Sequence, residues 1–349
     1  MLIVLLILAA VCLCGCGGSG SAGADRAVPE RDSAGADRAV SERDSAGADR
    51  AVSEKDSAGA DLAAPEKGST ISRTALSPGP AGYAAPEMAV SVFHEEQAVG
   101  ENGVLIDLSS ASDGYVAVRA TSSSRMKFQV IKDGTTYNYD LRSDGIPAFF
   151  PLQMQDGMYS FRVVENISGT KYAVVYSTEQ TISIKDDFCP FLYSNEYVKY
   201  TGDSACVKKA RELSAAAADE NGVVSGVYDY ICASIKYDRE KAKNISTGYM
   251  PDPDQTLSEG KGICFDYASL AGAMLRSQGI PCKVIFGYVS PGDLYHAWNM
   301  FYTKEDGWVT VKFEIYGNKW NRLDLTFSAN GADGTFIGDG SNYKEVYCY

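Results

Sequence analysis

The C-terminal half of the chain changes from a helical to a strand-like spacing of hydrophobic residues. Three runs place apolar residues three or four positions apart: Asp203 to Ala217, Val223 to Ile235, and Tyr267 to Leu275. This spacing is typical of helices with one buried face. Gly279 and Pro281 follow the third run, so we expect a helix that begins at or near Cys264 and ends before them.

Strand-like runs follow this helix. Their bounds are Cys282 to Val289, Tyr295 to Tyr302, Trp308 to Ile315, and Trp320 to Phe327. Turn residues separate the last three runs, at Lys304 to Gly307 and at Gly317-Asn318, which predicts an antiparallel meander. We expect the helix that starts near Cys264 to cover one face of this sheet.

Residues 84–185 have the period-two alternation of β-strands. The runs are Gly114 to Arg119, Met126 to Lys132, Thr136 to Leu141, Met158 to Glu165, and Lys171 to Ser177. Asp133-Gly134 and Ser168-Gly169 lie between neighbouring runs, as in β-hairpins. Five to seven such strands in about 100 residues predict an antiparallel β-sandwich. The fold class is therefore α+β, and no cluster of chemically reactive residues lies in this region.

The N-terminus carries a processing signal and a repeat. Met1 to Leu13 is aliphatic and too short to span a bilayer, so residues 1–15 read as a signal peptide. A twelve-residue unit, SAGADRAVPERD and its variants, repeats over residues 21–68. It contains no aromatic residue and cannot bury a face, so residues 16–83 are expected to form a disordered tether.

Composition excludes several classes of function. The formal net charge of −13, from 32 Lys and Arg against 45 Asp and Glu, opposes a nucleic-acid partner. The chain has two histidines, His94 and His296, so a metal site with several histidine ligands cannot form. His94 has no cysteine or serine beside it in the sequence and is interpreted as a surface residue.

Three residues of the last 150 suggest nucleophilic catalysis. A thiol at the start of a helix, as expected for Cys264, meets free N–H groups and the positive end of the dipole, which favour the thiolate. His296 and Asp324 lie on strands of the predicted meander. A nucleophile, a base and an orienting carboxylate would then converge from three elements.

The motifs around these residues resemble the transglutaminase-like superfamily. They are G-x-C-x-D-Y-A at Cys264, H-A-W at His296, and D-L-T-F at Asp324, where the family commonly has Asp-Pro. The resemblance implies a papain-like fold for residues 186–349, with Cys264 as nucleophile, His296 as base and Asp324 orienting the imidazole. It implies no metal or organic cofactor.

Other residues of this region allow two interpretations each. Tyr249 is a candidate oxyanion or cleft residue, and Trp298 either walls the cleft or packs in the core. Asp266 is expected to serve the helix dipole rather than catalysis. Cys232 and Cys282 are interpreted as small core residues.

The segment Leu13-Cys14-Gly15-Cys16 resembles the lipobox of bacterial lipoproteins. The resemblance implies diacylglycerol on Cys16 and a location on the outer side of the cell membrane. Simple secretion and an uncleaved anchor are the alternatives. Two acyl chains would hold the protein stably on a membrane.

Two functions from different classes are consistent with the sequence. One is a cysteine enzyme that forms a thioester with a peptide or glutamine amide and releases it to water or to an amine. The other is a non-catalytic surface module that binds wall or host polypeptides. Specificity is expected to lie in cleft loops such as Met250 to Glu259, and the oligomeric state does not follow from the sequence.

Overall fold

The computed structural model describes residues 82–246, 248–289, 294–316, 319–324 and 343–349, with backbone alone at 289, 294, 311–316, 319–324 and 343. The predicted signal peptide, the lipobox and the repeats lie outside the described residues. In the parts of the chain that are described, no helix is long and apolar enough to cross a bilayer.

Two antiparallel sheets form the first part of the fold. One has the order β1-β2-β5 and consists of β1 (Val104–Asp107), β2 (Tyr115–Ala120) and β5 (Ala148–Pro151). The other has the order β4-β3-β6-β7 and consists of β3 (Met126–Lys132), β4 (Thr135–Leu141), β6 (Gly157–Ser168) and β7 (Lys171–Ile182). The predicted runs of residues 84–185 therefore form strands, and β1 and β5 are additional ones.

The two sheets pack face to face through aromatic side chains. The ring of Phe150 on β5 lies 4.8 Å from the ring of Phe128 on β3 and 4.8 Å from that of Tyr139 on β4. All three side chains are fully buried. These contacts confirm the expected sandwich.

The turn between β3 and β4 has the geometry that its sequence predicts. Asp133 and Gly134 are the two loop residues, with φ of 49° and 79°. Positive φ at both positions matches the twist of a two-residue hairpin, and Gly adopts it without strain. This turn fixes the register in which Lys132 pairs with Thr135.

The second part of the fold begins with helices. Their bounds are α1 (Ala205–Ala215), α2 (Glu220–Ser234), α3 (Arg239–Asn244), α4 (Pro253–Glu259) and α5 (Cys264–Arg276). Short 3-10 turns lie at Glu95–Gln97, Ala111–Asp113 and Cys189–Phe191. The expectation of a loop over Met250 to Glu259 is wrong for most of that segment. Asp252 caps α4 by accepting hydrogen bonds from two backbone N–H groups, and Pro253 suits its first turn.

Two short strands precede α5, and a large five-stranded sheet follows it. The large sheet has the order β13-β12-β11-β10-β14 and is antiparallel throughout. Its strands are β10 (Cys282–Val289), β11 (Leu294–Thr303), β12 (Gly307–Tyr316), β13 (Lys319–Asp324) and β14 (Tyr343–Cys348). The two-residue strands β8 (Lys236–Tyr237) and β9 (Lys261–Gly262) pair in parallel ahead of α5. The predicted meander is thus present, with β14 added beside β10.

Helix α5 lies directly on the large sheet. Every residue from Phe265 to Arg276 is buried. A Cβ on Gly272 would lie 3.5 Å from Val284 on β10, and Asn299 on β11 donates a hydrogen bond of 3.0 Å to the carbonyl of Ala268. The helix that carries the candidate nucleophile is therefore packed directly against two strands.

The sandwich and the α5 region share one core. Tyr197 stacks on Tyr349 with ring centroids 3.8 Å apart, and Tyr139 of the sandwich lies 5.9 Å from Tyr197. Gln153 donates a hydrogen bond of 3.1 Å to the carbonyl of Cys348. Side chains from both sides of residue 186 therefore pack together, and the domain boundary placed there stays a prediction.

Candidate active site

Cys264 is the first residue of α5. Its helix begins after Ile263, which has an extended backbone, and the carboxylate of Asp266 accepts a hydrogen bond of 2.8 Å from the Ile263 N–H. Three residues after the cap, a carboxylate can hold an N–H group at the helix start. The thiol therefore sits where the sequence predicts it, at the positive end of the helix.

Gly262 leaves the space that Asp266 occupies. A Cβ at residue 262 would lie 2.6 Å from the Cβ of Asp266 and 2.9 Å from its Oδ2. Carbon atoms do not approach this closely without displacing one another. The glycine and the aspartate of the G-x-C-x-D motif are thus linked by packing on either side of Cys264.

Asp266 is fully buried and has three donors. Lys241 on α3 places Nζ 2.7 Å from Oδ2, and the Tyr249 hydroxyl donates to Oδ1. Together with the Ile263 N–H, these contacts compensate the burial of the charge. They support the expectation that Asp266 serves the helix start.

His296 lies on β11 at the strand end that is level with the first turn of α5. The Phe265 ring packs on Phe286 of β10 with centroids 4.7 Å apart. In the β10–β11 register, Phe286 pairs with Ala297 and Gly287 pairs with His296. Phe265, the residue after Cys264, therefore packs on Phe286, whose strand partner Ala297 is the residue after His296.

Asp324 is the last described residue of β13. It pairs with Val311 on β12, and Val311 pairs with Asn299 on β11. Strand β12 thus lies between the strands of His296 and Asp324, within the one sheet expected for both. Strand β13 also contacts β8, which pairs with β9 two residues ahead of Cys264. The register therefore places Asp324 level with Asn299, three residues along β11 from His296 and two strands away.

The two candidate cleft residues have defined contacts. Tyr249 donates its hydroxyl to Asp266, and burial together with that neighbouring carboxylate raises the pKa of the Tyr249 phenol. Trp298 is fully buried, and its indole would lie 2.8 Å from a Cβ on Gly287. Trp298 packs in the core, which was one of its two interpretations.

Four other cysteines lie in environments that oppose ionisation. Burial raises the pKa of Cys282 and of Cys348 to about 12 each, and it also raises that of Cys206. For Cys189, burial and then the carboxylates of Asp186 and Asp113 raise the pKa. Cys189, Cys206, Cys282 and Cys348 form no disulfide, and Cys282 is a core residue as expected.

His94 belongs to a separate surface cluster. Its Nδ1 lies 3.2 Å from Asp107 Oδ2 and 3.0 Å from Ser109 Oγ, and its side chain is 40% exposed. Both partners meet the same ring nitrogen, so the cluster lacks the relay arrangement in which a serine and an acid occupy opposite nitrogens. The expectation of a surface histidine agrees with this exposure.

An open cavity of about 560 Å³ borders the strand that leads to Cys264. Its lining includes Lys236, Asp238, Arg239 and Lys261, with Asp238 and Lys261 joined by an ion pair of 2.8 Å. Charges of both signs line this cavity. Sequence reasoning missed both the cavity and Lys241, because neither belongs to a short motif.

Comparison with known proteins gives one family match. Residues 207–313 match the family described as the transglutaminase-like superfamily. The match includes Cys264 and His296 and ends before Asp324. A UPF0252 protein of Methanocaldococcus jannaschii is 31% identical over 67 residues, which cover 18% of this chain and 19% of that relative. The aligned segment thus spans about a fifth of that protein.

Solved structures give weaker likenesses. A candidate cysteine protease from Cytophaga hutchinsonii has 15% identity and a TM-score of 0.33, covering 57% of this chain and 74% of that one. LapG of Legionella pneumophila has 17% identity and a TM-score of 0.27, covering 43% and 77%. Red sea bream transglutaminase has 11% identity and a TM-score of 0.25, covering 57% and 47%.

Proposed function

We propose that this protein cleaves or transfers amide groups through a thioester at Cys264. The match of residues 207–313 to the transglutaminase-like superfamily supports cysteine-dependent catalysis. The observation that carries the proposal is the position of Cys264. It is the first residue of a buried helix whose first turn lies level with the strand end of His296.

The proposed reaction proceeds in two stages. The Cys264 sulfur attacks the carbonyl carbon of a peptide or glutamine amide while its proton passes to the imidazole of His296. N–H groups at the start of α5 hold the developing oxyanion. The C–N bond then breaks, and the leaving amine takes the proton from the imidazole. A thioester remains on Cys264.

The second stage regenerates the thiol. Water or a second amine, deprotonated by His296, attacks the thioester carbonyl, and the sulfur leaves with the proton that the imidazole has taken. Water gives a carboxylic acid, and an amine gives a new amide. Both outcomes use the same residues, so product analysis with and without an added primary amine distinguishes hydrolysis from transfer.

Labelling by an iodoacetamide probe at pH 6 to 7, with mass spectrometry of the modified peptide, tests the nucleophile. We expect Cys264 to react faster than Cys189, whose pKa is raised. Cys264→Ala abolishes turnover of a glutamine-containing peptide panel, and His296→Ala lowers kcat by up to about 10⁶. His94→Ala, which removes the other histidine, leaves turnover unchanged.

The variant Asp324→Asn tests the contribution of the Asp324 carboxylate apart from those of Cys264 and His296. A serine-protease triad loses about 10⁴ in kcat from this change, and a thiol that is partly ionised at a helix start depends less on its base. The expected order of loss is Cys264 and His296 before Asp324. If His296→Ala labels at Cys264 as fast as the wild type at pH 7, the imidazole does not activate the thiol. The protein is then a binding module.

We also propose that Cys16 carries the lipid anchor and that the repeats hold the folded part away from the membrane. Cys16→Ala should move the protein from the membrane fraction to the soluble fraction. The matched control is Cys14→Ala, two residues away, which follows the bulky Leu13 and keeps membrane recovery. Equal recovery of both variants contradicts lipidation at Cys16.

A further inference from the structure

We propose that Lys241 and Asp266 are positioning residues for Cys264, which together keep the start of α5 electrically balanced so that its positive end acts on the thiol. The inference rests on the function proposed above. It concerns two residues that lie outside the Cys264, His296 and Asp324 set and that come from different elements.

The first step is the burial of Asp266. Its side chain has no exposed surface, and its oxygens accept from the Ile263 N–H at 2.8 Å and from the Tyr249 hydroxyl, with Lys241 Nζ at 2.7 Å. These three donors fix the position of the buried carboxylate. Its negative charge lies two residues from Cys264, at the end of the helix where a thiolate would form.

The second step is the conflict that this charge creates. The free N–H groups of a helix start amount to about half a positive charge, which favours a thiolate. A full negative charge on Asp266 opposes a second negative charge on Cys264 and, without compensation, raises the pKa of the thiol. The carboxylate is nevertheless needed, because it holds the Ile263 N–H and thus the first turn.

The third step is the compensation by Lys241. Its ammonium group contacts Asp266 and also lies 4.6 Å from the ring centroid of Tyr249, and its side chain is only 25% exposed. The cation is thus held by two partners in a site that salt screens less than a surface pair. The net charge of the Lys241–Asp266 pair is zero, so the potential of the helix start remains at the thiol.

Other charged groups surround this pair. Asp252, which caps α4, and Glu259, at the end of α4, both act on Tyr249. The ion pair of Asp238 with Lys261 lies where β8 meets β9. His296 on β11 is the proposed base. None of these groups changes in the variants below, so a shift in the pH profile reports Lys241 and Asp266.

The test measures the rate of iodoacetamide labelling at Cys264 between pH 5 and 9, read by mass spectrometry on the full chain. In Lys241→Met the carboxylate loses its counter-charge, and we expect the midpoint of the pH profile to rise by about one unit. Labelling below the midpoint is then about tenfold slower. Lys241→Arg keeps the charge and keeps the wild-type midpoint.

Two further variants keep the test decisive if Lys241→Met is poorly folded. Asp266→Asn keeps Lys241 and removes the negative charge, so the midpoint falls below that of the wild type. The double variant Lys241→Met with Asp266→Asn returns it close to the wild-type value. If Lys241 and Asp266 had a purely structural role, these variants would change the stability of the protein but not the midpoint of the pH profile of Cys264 labelling.

The control is Lys243→Met on the same helix, since Lys243 is 64% exposed and faces Glu240 at 3.5 Å. It should have no effect on the midpoint. An unchanged midpoint in Lys241→Met or Asp266→Asn overturns the inference, while labelling of Cys264 that depends on His296 still supports the proposed function. If Cys264 in the wild-type protein is labelled no faster than Cys189, that result overturns the proposed function itself.

Discussion

At the scale of single residues, the motif around Cys264 is explained by packing as well as by chemistry. Gly262 is required because the Asp266 side chain occupies the space that a Cβ would need. Asp266 is required because it accepts from Ile263 and binds Lys241. The candidate nucleophile Cys264 therefore lies in the sequence between two residues, Gly262 and Asp266, that pack against each other.

Gly262→Ala should be destabilising because the added methyl group meets Asp266 at 2.6 Å. Such overpacking costs about 1–3 kcal/mol, and labelling of Cys264 should slow as the first turn shifts. The matched control is Gly226→Ala inside α2, where the nearest atom to the new Cβ is 3.8 Å away. That change should stabilise by about 0.5–1 kcal/mol. Urea unfolding measures both, and equal stability of the two variants contradicts the packing argument.

At the scale of secondary structure, a carboxylate on one helix caps the start of another. Asp254 on α4 accepts hydrogen bonds from the N–H groups of Cys206 at 2.9 Å and Ala205 at 3.0 Å, at the start of α1. Burial alone would raise the pKa of Asp254, but the hydrogen bonds from Cys206 and its neighbours outweigh burial and lower it. One carboxylate thus joins two helices that are 48 residues apart.

This lowered pKa predicts a pH-dependent contribution to stability. The folded carboxylate binds protons more weakly than the unfolded one, so its stabilisation is present above the unfolded pKa near 3.9 and disappears as pH falls through the lower folded value. Asp254→Ala should lower the free energy of unfolding by about 1–2 kcal/mol at pH 7.

Urea titrations from pH 7 to pH 2.5 check this, and the difference from the wild type should shrink at the acidic end. Asp203→Ala serves as the control, because Asp203 is exposed in the loop just before α1. A difference for Asp254→Ala that stays constant with pH contradicts a role for the ionised carboxylate.

At the scale of the whole molecule, the β-sandwich and the helical region share aromatic residues. Tyr139 is fully buried and lies within 6 Å of both Tyr197 and Tyr349, with ring centroids 5.9 and 5.7 Å away. Because cores packed this closely transmit a defect, we expect the two parts to unfold together.

Tyr139→Ala tests this coupling. All three tryptophans, Trp298, Trp308 and Trp320, lie beyond residue 186, so tryptophan fluorescence reports on that part only, while far-UV circular dichroism reports on both. The variant should lose about 3–5 kcal/mol, with coincident fluorescence and dichroism transitions. Met158→Ala, at a side chain that is 57% exposed, should change stability by less than about 0.5 kcal/mol. A fluorescence transition that stays at the wild-type midpoint shows independent unfolding.

Local signals in the sequence determined most elements of the fold. The strands Met126–Lys132 and Cys282–Val289 have the predicted bounds, since period-two alternation and turn residues act between near neighbours. The start of α5 at Cys264 likewise follows from the helical period and from Gly279 beyond it. Helix α4 was missed because its seven residues are too few to display a period.

The sequence by itself determined that a cysteine begins a buried helix and that His296 and Asp324 follow on strands of one sheet. The tertiary structure alone decided that β12 separates the strands of His296 and Asp324, that Lys241 reaches Asp266, and that Tyr139 packs near Tyr349. Hydrophobic period and turn chemistry depend on residues a few positions apart, so one sequence displays them. Contacts between residues 25 to 210 positions apart depend on how whole elements pack, and no local pattern encodes that packing.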